Sequence, residues 1–200
     1  MFKKLIGWQF KKPSGLFGIF TSNIMIKGNL SRYSLLIKDL DIQPLDKILE
    51  IGYGPGVGIE LIAEACNSCT IHGIDFSKLM YKRATKRNKK HIESNKVLLK
   101  YGDILDNQTD KDNYDKIFCL NVVYFWDDLQ KPFEKIGSLL KNSGAFYIYM
   151  ATKEMLMEKK APDGIFNKYS IEQIEEALRL AGFNYVTYYF DKGFYIKAKR

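Results

Sequence analysis

A chain of 200 residues, 46% apolar and 27% charged, is long enough to bury one core and too apolar for a disordered segment. No apolar run nears the roughly 20 residues of a membrane-spanning helix, and the basic start MFKKLIGWQFKKPSG lacks the apolar stretch and cleavage site expected of a signal peptide. The net charge of +8 fits plain solubility, or attraction to nucleic acid, a phospholipid surface or an acidic substrate.

Residues 1–44 are an arm ahead of the first strand. Its start combines Phe2, Leu5, Ile6, Trp8 and Phe10 with Lys3, Lys4, Lys11 and Lys12. That is the composition of a helix lying in a membrane interface; the alternative is a lid folded over a cleft. From residue 46 strand and helix patterns alternate: strand 46–51, helix 57–66, strand 70–75, helix 77–90 and strand 97–103. Strand 114–123 follows, then a helix over 129–144 capped by Gly144, strand 145–152 and helix 170–182. Residues 183–199 form two strands around a turn at Gly193. The pattern predicts one α/β domain over 1–200: a Rossmann-like, doubly wound, mostly parallel sheet with an antiparallel C-terminal hairpin strand. Residues 45–152 are its core, 153–169 a mobile cap loop, and 170–200 the closing helix and hairpin.

Ligands of such sheets sit at the carboxyl ends of strands. After the first strand comes EIGYGPGVG, with Glu50, Gly52, Tyr53, Gly54, Gly56 and Gly58, either a bare turn or a backbone on which a ligand rests. No register supplies the G-x-G-x-x-G of a dinucleotide site. Asp75, 23 residues beyond Gly52, can accept from both hydroxyls of a ribose or cap the next helix, as can Ser77. Asp103 can accept from an exocyclic amine or simply hold a turn. Tyr53, Tyr124, Phe125 and Trp126 suit a sulfonium or a flat apolar substrate, and equally a core.

In this order the motifs resemble the class I S-adenosylmethionine-dependent methyltransferases over about residues 45–152. ILEIGYGPG is similar to their first motif, and GIDFSKLM, with Asp75, Phe76 and Met80, to the ribose-binding step. GDILD resembles the adenine-binding step, which puts Asp103 on the amine and Ile104 on the ring. NVVYFWDD resembles the fourth motif, with Asn121 near the methionine portion or the substrate. The resemblance implies a seven-stranded sheet, S-adenosyl-L-methionine as cofactor and S-adenosyl-L-homocysteine as product. The leader and NVVYFW also resemble a small bacterial subgroup near the ubiquinone/menaquinone-biosynthesis methyltransferases.

The expectation is therefore an enzyme, a cytoplasmic methyltransferase acting on a small aromatic or isoprenoid-like molecule held between the N-terminal arm, Tyr124, Phe125 and Trp126, and segment 153–169. Only two histidines occur, neither placed for catalysis, which leaves Tyr124, Asp127 or water as base. The alternatives are an RNA or lipid methyltransferase using the basic helix around Lys78–Lys90, and a non-catalytic cofactor-binding partner. Peripheral membrane contact through the arm stays open. The three cysteines cannot all pair with one another, which points to a reducing cytoplasm, and CNSC with His72 is expected to be a cysteine pair rather than a metal site.

Overall fold

Seven apolar runs become the seven strands of one sheet. The computed structural model describes residues 2–106 and 113–200, with Phe2 and Lys3 by backbone alone, so these two members of the amphipathic start lie outside the described side chains. The strands are β1 (Lys47–Ile51), β2 (Thr70–Asp75), β3 (Val97–Tyr101), β4 (Tyr114–Leu120), β5 (Leu140–Met150), β6 (Tyr185–Phe190) and β7 (Phe194–Lys199). Their order is β3-β2-β1-β4-β5-β7-β6. The pairs among β1–β5 are parallel, and β7 runs antiparallel to both β5 and β6. This is the expected Rossmann-like sheet, with one refinement: the last strand is inserted beside β5 and leaves β6 at the edge.

The helices are α1 (Phe2–Lys11), α2 (Gly15–Leu40), α3 (Val57–Ala65), α4 (Lys78–Arg87), α5 (Lys89–Glu93), α6 (Gln130–Leu139), α7 (Lys153–Glu158) and α8 (Ile171–Leu180). They cover both faces, because the strands are apolar on both. One apolar layer joins Phe133 and Ile136 of α6 and Ile174 and Leu178 of α8 to Phe146 and Ile148 of β5. The other joins Tyr33, Leu36 and Leu40 of α2 and Ile59 and Ile62 of α3 to Ile48 and Phe118. Helix α8 starts where the sequence marks it: Ser170 Oγ accepts from the Gln173 amide while Gln173 Oε1 accepts from the Ser170 amide, a reciprocal cap worth about 1 kcal/mol.

Four expectations are corrected. The helix over 77–90 breaks at Asn88, whose buried amide Nδ2 donates to the carbonyls of Gly56 and Ala84 and ties the helix to the glycine loop. The helix over 129–144 stops at Leu139, and Gly144 lies inside β5. A Cβ there would sit 2.9 Å from the Tyr114 carbonyl oxygen, so this glycine permits close strand approach instead of capping a helix. Cys66 and Cys69 form a disulfide and Cys119 is buried and free, so the cysteines no longer argue for a reducing compartment. Segment 153–169 is not loop throughout: it opens with α7, capped by Thr152 Oγ1 accepting from the Met155 amide. No helix among the described residues is long and apolar enough to cross a membrane.

Candidate active site

Strand order reverses between β1 and β4, and a cleft opens at their carboxyl ends, as the topology requires. The glycine loop turns there through Gly52 at φ +69° and Gly54 at φ +53°. A Cβ on Gly52 would lie 2.5 Å from Val122, so this position needs glycine for space as well as for its left-handed backbone. The Gly54 amide donates to Asp75 Oδ2 at 2.8 Å, and the Ser77 amide donates to Oδ1 at 2.8 Å. Asp75 thus clamps the loop to the start of α4, while Ser77 is the helix cap. Burial pushes the Asp75 carboxyl up to about 6, and the two amide donors oppose that rise.

A cavity of about 420 Å³ occupies this cleft. Of the residues expected to hold a cofactor, Gly52, Asp75, Phe76, Met80, Asp103, Ile104 and Asn121 line it. Asp103 is exposed and also holds its own turn, accepting from the Leu105 amide at 3.0 Å. Phe125, Trp126 and Asp127 line the cavity as well. Phe10 and Lys11 at the end of α1, members of the arm read as a possible lid, line it too, and the sequence reading missed Pro13 after them and Met25 of α2. Ser77 Oγ donates to the Pro13 carbonyl at 2.8 Å and fastens that turn across the cleft.

Four expected residues stand behind the wall. Gly54 and Gly56 lie outside the lining: the Gly54 amide is spent on Asp75, and a Cβ on Gly56 would strike Ala84 and Asn88, so that glycine packs α3 against α4. Tyr53 is fully buried on the other side of the loop, where its hydroxyl donates to the Lys100 carbonyl. Glu50 is buried beneath α3 and accepts from the Tyr33 hydroxyl at 2.8 Å. Burial pushes its carboxyl up to about 8, the Tyr33 hydroxyl opposing and the Asp75 charge adding. Glu50 therefore carries its proton at neutral pH and braces the loop from behind.

A second cavity, also of about 420 Å³, adjoins the first through four common wall residues: Phe10, Met25, Asn121 and Phe125. Ile6, Tyr124, Leu156 and Phe166 make most of its surface apolar. Among the described residues its charged lining is Arg32, Lys159 and Lys160, with no carboxylate and no histidine. The Arg32 guanidinium donates from Nε to the Tyr149 hydroxyl at 2.5 Å and from Nη1 to the Gly28 carbonyl, and lies over the Tyr149 ring. Burial raises the Tyr124 phenol well above its usual range, so it keeps its proton. Trp126 lies outside this second lining and packs edge-on against Phe133. Asp127 is exposed and accepts from the Asn167 amide, also away from this cavity. His72 is remote: its Nδ1 pairs with the Tyr114 hydroxyl, and burial with nearby lysines holds its ring at about 4.

Asn121 stands between the cavities in a left-handed conformation, φ +61°, which asparagine tolerates better than most residues. Its Nδ2 donates to Asn29 Oδ1, and its own Oδ1 is buried with no partner among the described residues. An orphaned acceptor at the junction, backbone without side chains at Gly52 and Gly102, and carboxylates at two strand ends form an acceptor-rich set that fits S-adenosylmethionine. Its hydroxyls, amines and cationic centres are complementary to these groups.

A methyltransferase-domain family model matches residues 48–144. The uncharacterised methyltransferase YdaC of Bacillus subtilis is 31% identical over 66% of this chain and 70% of its own length. A geranyl diphosphate C-methyltransferase from Streptomyces coelicolor, solved with Mg²⁺, geranyl diphosphate and S-adenosyl-L-homocysteine, superposes with a TM-score of 0.70. It is 12% identical over 86% of this chain and 79% of that one. Phosphoethanolamine N-methyltransferase 2 of Haemonchus contortus, solved with phosphomonomethylethanolamine and S-adenosylhomocysteine, has a TM-score of 0.68 at 23% identity, over 80% of this chain and 38% of that one. Both structures are likenesses of fold.

Proposed function

This chain belongs to the class I S-adenosylmethionine-dependent methyltransferases, and we propose that it methylates a small molecule with an aromatic or isoprenoid-like body and an acidic end. The observation that carries this reading is the pair of adjoining cavities. Both carry aromatic rings and cations, but among the described residues carboxylates line only the first, and Phe10, Met25, Asn121 and Phe125 belong to both.

When bound, S-adenosylmethionine supplies an electrophilic methyl group on a sulfonium, open to in-line displacement. Asp75 would accept from its ribose hydroxyls and Asp103 from its exocyclic amine, while Phe76, Met80 and Ile104 enclose its apolar faces. Asn121 offers its free Oδ1 to the methionine portion or the acceptor. On the acceptor side Phe125, Tyr124 and Phe166 exclude water and orient a flat or branched apolar body. Arg32 draws an anionic end towards itself, because among the described residues no carboxylate shares the cavity with it. The same lining holds no group suited to remove a proton at neutral pH. Tyr124 is thus a positioning group, Asp127 faces the wrong cavity for a base, and the acceptor brings its own electron-rich atom.

Transfer of a labelled methyl group to paired acceptors tests this: aromatic and isoprenoid acids against their neutral esters or amides. The acids should turn over at least about tenfold more efficiently, a difference of about 1.4 kcal/mol. Equal or better turnover of the neutral partners would remove the acidic end from the proposal.

A further inference from the structure

Helix α2 is inside out over its first ten residues. The positions it turns to the protein are small or polar: Gly18, Thr21 and Ser22 are buried. Thr21 and Ser22 return their hydroxyl hydrogens to carbonyls of their own helix. Gly18 lies where a Cβ would meet Leu79 of α4 at 2.8 Å, so a larger residue could not face inward there. The positions turned outward are Leu16, Phe17, Ile19, Phe20 and Ile24, with Leu16 86% and Phe20 60% exposed. A water-facing helix has the opposite pattern. On α1, which packs against α2, Leu5 and Trp8 are likewise exposed, three residues apart.

Charge identifies what covers this face. Residues 1–38 contain seven lysines and arginines and no aspartate or glutamate. Lys4 of α1 and Lys27 and Lys38 of α2 are exposed, while the Lys12 ammonium, in the turn between the helices, lies over the Phe76 ring. A second copy of the chain packed on this face through a two-fold axis would set these cations against themselves with no local carboxylate to answer them. A nucleic acid would pair with the cations and leave five aliphatic and aromatic side chains in water. An anionic bilayer satisfies both, taking the apolar groups into its acyl boundary and the ammonium groups among its headgroups. Ile6 and Phe10 of α1 and Ile24 of α2 also line the apolar cavity, so the docked face lies beside the acceptor's entrance.

We propose that α1 and the first half of α2 form a docking surface for anionic lipid bilayers. The inference rests on the face itself and not on the transfer reaction. The test is flotation of the whole protein with vesicles of phosphatidylcholine alone, or of phosphatidylcholine and phosphatidylglycerol in equal parts, at low and high salt, with Trp8 fluorescence as a second readout. Binding should be at least about tenfold tighter to the anionic vesicles, weaken with salt and shift Trp8 emission to the blue. The Leu16→Asp/Phe20→Asp variant should lose that binding while keeping its affinity for S-adenosylhomocysteine and its melting temperature. No preference for anionic vesicles in the wild-type protein, or unchanged binding of the variant, would overturn the proposal. So would a wild-type dimer that the variant dissociates, which would assign the face to a second copy. Failure of the wild-type protein to bind S-adenosylhomocysteine would count against the methyltransferase reading and leave this one standing on the vesicle result.

Discussion

The two cavities are equal in volume and share a wall, yet they are assembled from different kinds of sequence. The polar one takes its key groups from strand ends: Gly52 after β1, Asp75 at the end of β2, Asp103 after β3 and Asn121 after β4. Each sits within a few residues of an element that a parallel sheet holds in register. The apolar one is closed by α1, α2 and segment 153–169, and α1 meets that segment where a Cβ on Gly7 would stand 2.8 Å from Pro162. On the proposed reading, cofactor chemistry is built on rigid sheet geometry, and acceptor choice on packed helices that can vary with little effect on the sheet.

Single substitutions should divide along this line. Gly52→Ala combines a disfavoured left-handed backbone, costing about 1–2 kcal/mol, with a clash against Val122. Calorimetry should show affinity for S-adenosylhomocysteine falling about a hundredfold. A variant that binds normally would mean that the loop does not touch the cofactor. Arg32→Met should lower turnover of acidic acceptors about tenfold with cofactor affinity unchanged, since the guanidinium lines only the apolar cavity. Parallel losses of both ligands would break the comparison.

A smaller effect concerns pH. Glu50 is raised to about 8 and Asp75 to about 6, both above the ordinary carboxylate range, so between those values and pH 4 the folded chain holds more protons than the unfolded one. Their contribution to stability is complete below about pH 4, falls as pH rises from there, and is lost by about pH 6 for Asp75 and about pH 8 for Glu50, by at most about 1.4 kcal/mol per pH unit for each group. Thermal melts of Glu50→Gln should lose the part of this decline that lies between pH 6 and 8. A variant that tracks the wild type would show that Glu50 is ionised in the fold. The smallest change is expected from Cys66→Ser/Cys69→Ser, which opens a loop at the opposite ends of the strands. Cofactor affinity should stay within about twofold, and the loss of stability should stay below the roughly 3 kcal/mol of a 15-residue loop.

The same division explains how much was legible in sequence. β2 is predicted to the residue, and Asp75, Asp103 and Asn121 follow from it and its neighbours, because period and strand-end position are local signals. Tyr53 and Glu50 lie in the same motif yet face away, since adjacent residues at a strand end point to opposite sides of the sheet. Phe10, Met25 and Arg32 carry no motif; their place depends on how α1 and α2 cross the cleft, a tertiary fact that composition does not encode. Gly144 misled for a related reason: a glycine after an apolar helix marks a cap unless another strand approaches it. The outward apolar face of α2 could have been found by noting that Gly18, Thr21 and Ser22 share one side of the helix.

The central claim is that the glycine loop and Asp75 cradle a methyl donor. Titration calorimetry with S-adenosylhomocysteine on the wild type and Asp75→Ala, beside NADH, tests it directly. Micromolar or tighter binding to the wild type, at least about tenfold weaker binding to Asp75→Ala, and silence with NADH are the expected results. Equal affinity in the two proteins, or no binding to either, would contradict the account.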